Sequence, residues 1–243
     1  MSFKVNLVNE LTRMFKKKKT IVFIIINLVI CGIASLIVSA INNNSNIHIT
    51  NIWGNLHTIF FYIVLPLYIF IETLDLFTAE TGTGLIKNVL VRPITRMKVY
   101  LSKVSAVGIF ILFQIFSIII FCAIISVIGN YAASTIVMGA LSYIISFIPL
   151  IAFIFITAFI AQIVKNGLLG MLFCIFFSLI CYATEIFFTS ASAFVFTRHL
   201  KMYKMILTTN THESGVVAAL LIIGAYIMFS FTAGFLLFDK KEH

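Results

Sequence analysis

The chain of 243 residues is 61% hydrophobic and only 10% charged, whereas soluble domains run to about 45–50% apolar and about 25% charged, so a soluble globular class is excluded. Its apolar runs pass twenty residues without alternating polarity, which excludes a barrel of short strands and predicts an all-α, polytopic membrane protein. The formal net charge of +9 is spread beside the apolar runs instead of forming one patch, which argues against nucleic acid and for anionic membrane lipid as the partner of the basic residues.

Residues 1–19 place Phe3, Leu7, Leu11 and Met14 at helical spacing, with Lys4, Asn9, Glu10, Arg13 and Lys16 to Lys19 filling most of the remainder. The pattern predicts a basic amphipathic helix lying on the membrane surface; a disordered basic tail that only signals topology has the same composition. Residues 20–41 follow as the first span, long enough at the helical rise to cross a hydrocarbon core of about 30 Å. A cleaved signal peptide has a shorter apolar region, so the likeness of Val38-Ser39-Ala40 to a cleavage site is set aside. Residues 42–51 are polar without Lys or Arg and suit an external loop. Trp53 marks the outer interface of a second span over 53–72, with a kink expected at Pro66. Four more spans are predicted at 104–128, 136–164, 167–188 and 215–238, the fourth containing Pro149. Cys31, Cys122, Cys174 and Cys181 all fall inside apolar runs and read as packing residues, not as a disulfide framework.

With the N-terminus inside, 14 Lys and Arg lie on the inner side and 3 on the outer. The positive-inside rule therefore predicts six spans with both termini cytoplasmic, and places the polar stretch between spans two and three in the cytosol.

Few residues in such a chain can carry chemistry. Glu72 and Asp75 share a helix face and Glu80 lies about a turn beyond. An enzyme reading makes them acid/base groups or metal ligands at the membrane surface. No His or Cys lies in that stretch, however, and none of the five histidines has the H-E-x-x-H spacing, so neither catalytic residues nor metal ligands are assigned. Glu72 and Asp75 then either pair with Lys or Arg of the same layer or face a water-filled passage. Glu185, near the outer end of the fifth span, costs about 2.5–3.5 kcal/mol if ionised deep in lipid. It either faces protein or a cavity, or reaches the outer headgroups. These three acidic residues are the candidates for a translocation path. Ser142, Ser146, Gly167 and Gly170 permit close helix approach and read as packing.

Glu80, Gly82, the apolar Leu85, Leu90 and Val91 among Lys87 and Arg92, then Pro93-Ile94-Thr95-Arg96 and Lys103 form a recognisable run. It resembles the type-two exporter class of ABC-transporter permeases, in which a Glu and Gly after the second span lead to a short amphipathic helix, a Pro-x-[Ser/Thr]-Arg turn and a Lys opening the third span. The likeness covers essentially the whole chain and looks closest to permeases that remove antimicrobial peptides such as lantibiotics or bacitracin. It implies a cytoplasmic coupling segment over 80–103 with a coupling helix from Leu85 to Arg92, and ATPase contacts at Glu80, Gly82, Leu85, Lys87, Leu90, Arg92 and Arg96. It also implies a bacterial cell membrane, a cytoplasmic ABC ATPase and a second permease, identical or paralogous. The residues themselves add that the chain has no G-x-x-x-x-G-K-[ST] loop. No cofactor is expected on this chain, and ATP belongs to another polypeptide. The expected function is a non-catalytic permease subunit of an ATP-driven exporter for antimicrobial or other membrane-active peptides, with three alternatives: export of lipid or another hydrophobic compound, an intramembrane enzyme, or a structural membrane subunit.

Overall fold

The computed structural model describes residues 3–44, 52–83, 95–164, 166–188, 192–207 and 213–240, and every regular element among them is helical. Helix α1 (Phe3–Phe15) and α2 (Lys18–Asn44) are followed by α3 (Ile52–Ile59), which passes through one π-helical turn (Phe60–Val64) into α4 (Leu65–Thr83). Then come α5 (Arg96–Ile128), α6 (Ala133–Ile145), α7 (Phe147–Ile163) and α8 (Gly167–Phe187). A 3-10 turn (Phe196–Lys201) and the short α9 (Tyr203–Leu207) lead to α10 (Glu213–Lys240). Six stretches are long and apolar enough to cross a bilayer: 18–38, 53–78, 96–128, 133–163, 167–187 and 214–240. The protein is thus an all-α polytopic membrane protein, in which each span satisfies its own backbone as hydrocarbon demands.

Helix α1 and the end of α10 lie at one end of the bundle, the terminal end. There α1 packs on the start of α5, where Asn6 donates to Ser102, and Asp239 near the end of α10 meets Arg96. The opposite, far end is built by α3, the start of α6, the 3-10 turn and α9.

Two of the spans are broken where proline denies the backbone a donor. Pro66 has no N–H to give the Tyr62 carbonyl four residues back, and the turn before it is wound as a π-helix in which the Leu65 N–H reaches the Phe60 carbonyl. The Tyr62 carbonyl instead accepts a hydrogen bond from the Tyr182 hydroxyl of α8 at 2.8 Å. In the fourth span Pro149 is the third residue of α7, so the Ile145 carbonyl at the end of α6 loses its partner. The helix is interrupted at Ser146, whose N–H donates to the Ser142 carbonyl at 3.1 Å.

These two broken spans are also the inner ones. Their apolar windows are 67% and 56% buried, against 22%, 22% and 17% for spans one, five and six, whose outward Leu, Ile and Phe suit contact with hydrocarbon. Glycine sets two of the closest approaches. A Cβ on Gly139 would run into the Trp53 ring, and one on Gly170 would stand 2.6 Å from Leu74 Cδ2. Span one is locked inward by polar groups: Asn27 Nδ2 donates to Gln114 Oε1 at 2.8 Å, and the Tyr68 hydroxyl donates to Asn27 Oδ1 at 3.1 Å. Such intramembrane bonds contribute about 0.6 kcal/mol each on average.

Candidate functional site at the terminal end

Helix α1 turns a polar stripe toward the bundle. Asn6, Glu10 and Met14, spaced four apart, share one face and are buried. Asn6 Nδ2 donates to Ser102 Oγ on α5. The Glu10 carboxylate stands 3.7 Å from Lys103 Nζ and 4.0 Å from the Arg13 guanidinium. The stripe Phe3, Leu7, Leu11 and Met14 anticipated for the membrane is therefore not the face that packs deepest. Met14 joins the polar pair, Leu7 and Leu11 are half-buried, and Val5 and Val8 are exposed. The reason lies on the partner helix, which at this level presents Ser102 and Lys103.

Lys103 is 2% exposed, and a buried ammonium survives only with partners around it. Its Nζ donates to the Leu76 carbonyl at 3.0 Å, lies 5.6 Å over the Phe77 ring and faces Glu10. One cation thus joins α1, α4 and α5, with the ring adding a cation–π contact.

A second knot is tied by the turn between α1 and α2, closed by the Lys17 N–H and the Thr20 hydroxyl, both donating to the Met14 carbonyl. That turn holds Lys17 and Lys19 over α4. Both ammonium groups donate to Asp75 Oδ2 at 2.6 Å, and Lys19 Nζ also lies 3.0 Å from Glu72 Oε1. The contact with Glu72 is an ion pair without hydrogen-bond alignment, since both of its oxygens lack a directed donor. Glu72 is 1% exposed while Asp75 is partly solvated, so Glu72 depends more heavily on the shared lysine. Beside this knot a cleft of about 470 Å³, lined by Lys19, Asp75, Thr78 and Asn166, opens between α4 and the start of α8.

Of the anticipated coupling residues, Glu80 and Gly82 fall in the last turns of α4. Leu85, Lys87, Leu90 and Arg92 lie outside the described residues. Arg96 opens α5, donates to the Asp239 carbonyl and stands 3.7 Å from its carboxylate; both side chains are exposed, so the pair contributes little stability. Glu185 sits at the far end, apart from Glu72 and Asp75, where the Tyr62 hydroxyl donates to its Oε1 at 3.1 Å. It faces protein on that side. The sequence did not point to Lys17 and Lys19 as the partners of the two carboxylates, nor to the Glu10–Lys103 pair. The available signal was the four-residue spacing of Asn6 and Glu10 on an otherwise amphipathic helix.

Among the described residues no group of three or more His, Cys, Asp or Glu comes together as a metal site. No curated protein matches the chain. The family model described as ABC-2 family transporter protein matches residues 9–181, from the middle of α1 to α8 and across both ionic knots, so the chain belongs to that family as a non-catalytic permease subunit.

Proposed function

We propose that this permease subunit expels an antimicrobial or other membrane-active peptide, and that residues 80–103 couple it to a separate cytoplasmic ABC ATPase. Permeases of this family pair with an ATPase, a second permease or both; here the second permease is an identical or paralogous copy in a bacterial cell membrane. The observation that supports coupling is the placement of the two knots. Glu72 and Asp75 stand on the helix that leads into the segment, Lys103 on the helix that leads out, and the N-terminal region is tied to both. A push on Leu85, Lys87, Leu90 and Arg92 would therefore move α1, α4 and α5 together. The excess of 14 cationic residues over 3 supports placing this end, and both termini, in the cytoplasm. Under this reading Glu72 and Asp75 border the inner mouth of the passage and Glu185 its outer mouth.

An amphipathic cargo taken laterally from the bilayer suits walls as apolar as these. A second reading, export of lipid or another hydrophobic compound, is favoured by the cleft of about 330 Å³ between α7 and α8, lined by Ile160, Phe173 and Phe177 among others.

Leu90→Asp, which places a charge in a desolvated contact, should abolish co-purification of the ATPase and its stimulation while leaving the spans inserted. Retention of both would overturn the coupling assignment. With the native cysteines removed, Lys201→Cys should react with an impermeant thiol reagent in whole cells and Asn88→Cys only after lysis. Expression with the ATPase in a sensitive strain should raise the inhibitory concentration of lantibiotic- or bacitracin-like peptides, and an ATPase-dead mutant should cancel the gain. Unchanged sensitivity across a broad peptide panel would sink the cargo reading.

A further inference from the structure

At the far end a cavity of about 520 Å³ opens between α3, the first turns of α6 and α9, within the range of about 300–1,000 Å³ that small ligands fill. Trp53, Ser134, Thr135, Ser142, Tyr203 and Lys204 supply its polar and aromatic lining, and among the described residues no carboxylate lines it. Lys204 is the cation in its lining, while Lys201 lies over the Tyr62 ring and Arg198 donates to Ser192 Oγ.

The walls are held in place from behind. Trp53 Nε1 donates to Ser126 Oγ at 2.9 Å, the Tyr143 hydroxyl donates to the Trp53 carbonyl at 3.3 Å, and Gly139 leaves the indole its room. The Tyr203 ring lies 4.5 Å from the ring of His57, which is fully buried and fixed through Nε2 to Ser146 Oγ at 2.8 Å. Burial pushes the Tyr203 phenol above its ordinary pKa, so it stays a neutral hydrogen-bond donor. Ser134 and Thr135 add hydroxyl donors, while the Ser142 hydroxyl donates to the Gly139 carbonyl and leaves its oxygen as an acceptor.

A cation, several hydroxyl donors and two interfacial aromatics are the chemistry that recognises a phosphate at the membrane–water boundary. An apolar track continues from it. Met138 lines the cavity and is itself exposed, and Leu141, one turn further along α6, is exposed as well. We propose that this cavity is a binding site for the headgroup of an anionic phospholipid in the leaflet at the far end, with Lys204 as its cation and the acyl chains lying along α6. Binding here requires neither the ATPase nor the cargo. It would anchor the connection 196–207 to the membrane surface beside the sixth span.

Trp53 is the only tryptophan in the chain, so its fluorescence reports this wall alone. Purified full-length protein in a neutral detergent would be titrated with dihexanoyl-phosphatidylglycerol, with dihexanoyl-phosphatidylcholine and with inorganic phosphate. The expected result is a saturable change in Trp53 emission with phosphatidylglycerol, at least tenfold weaker with phosphatidylcholine, and not displaced by an equal concentration of phosphate. Lys204→Gln should weaken the phosphatidylglycerol response at least tenfold and Lys204→Arg should restore most of it, with thermal melts confirming that both variants are folded. Equal response to the two lipids, or an unchanged response in folded Lys204→Gln, would overturn the site. Displacement by phosphate at equal concentration would overturn a lipid as its occupant.

Discussion

The two ends of the bundle are held by different chemistry. At the terminal end α1 and the turn after it are joined to α4 and α5 by cations and carboxylates: Lys17 and Lys19 with Glu72 and Asp75, Lys103 with Glu10. At the far end the described joins are mostly made by rings and neutral groups, and the cations there meet a ring or a hydroxyl, Lys201 over Tyr62 at 4.9 Å and Arg198 on Ser192. His57 stacks on Phe61 at 4.3 Å, Tyr143 meets Trp53 edge-on at 5.6 Å, and even Glu185 is met by a phenol. Ions at the margin of hydrocarbon are stabilising only while every partner is present, because a charge that loses its counter-ion keeps its desolvation cost. Stacked rings lose stability gradually. The terminal end is thus the one at which a single displaced element changes the whole set of contacts, which is what the proposed coupling would need.

The largest expected effect follows from Glu72. Lys19→Met removes the counter-ion 3.0 Å from that buried carboxylate and should cost about 3–5 kcal/mol, the usual penalty for removing one member of a buried pair, read as the fall in thermal stability of the detergent-solubilised protein. Lys19→Met with Glu72→Leu should recover most of the loss. A single-mutant cost below about 1 kcal/mol, the range of exposed pairs, would place Glu72 in water and erase the distinction between the ends.

A smaller effect sharpens the far side of the comparison. Gly139→Ala drives a methyl into the Trp53 ring, and overpacking of this kind costs about 1–3 kcal/mol. Emission from Trp53 should shift as the indole moves off α6. The loss should be the same at low and high salt, whereas the loss from Lys17→Met, whose pair with Asp75 is partly solvated, should be under about 1 kcal/mol and shrink as salt rises.

Much of the architecture was legible because hydropathy alone dictates it: the six long apolar helices stand where the runs of Leu, Ile and Phe are. The ionic partners were not. Lys19 and Asp75 are 56 residues apart, and nothing local in either stretch records which of several cations sits over which carboxylate. Helix α1 shows the same limit at short range. The period of Phe3, Leu7 and Leu11 predicts a helix correctly, but the face that packs was decided by Ser102 and Lys103 on another helix. The fourth span was read as one run containing Pro149, whereas the helix is interrupted upstream of it at Ser146, since a proline disrupts the carbonyl four residues before it.

The finest test lies at Pro66, where the sequence shows the lost donor and only the fold shows its replacement. The Tyr182 hydroxyl supplies the hydrogen bond to the Tyr62 carbonyl that residue 66 cannot make. Tyr182→Phe keeps the ring, which lies 5.2 Å from the Tyr62 ring, and removes only that donor. The expected cost is about 1 kcal/mol, the net value of one hydrogen bond, and it should not vary with salt because neither group is charged. In a Pro66→Ala background the backbone regains an N–H four residues beyond Tyr62, so the π-turn can relax and the carbonyl has a second source. Tyr182→Phe should then cost close to nothing, and the double-mutant cycle should give a coupling about equal to the single-mutant loss. Additivity of the two substitutions within about 0.3–0.5 kcal/mol, as for independent sites, would mean that Tyr182 does not stand in for the missing donor and that the π-turn is held by the packing of Phe60 and Phe61 alone.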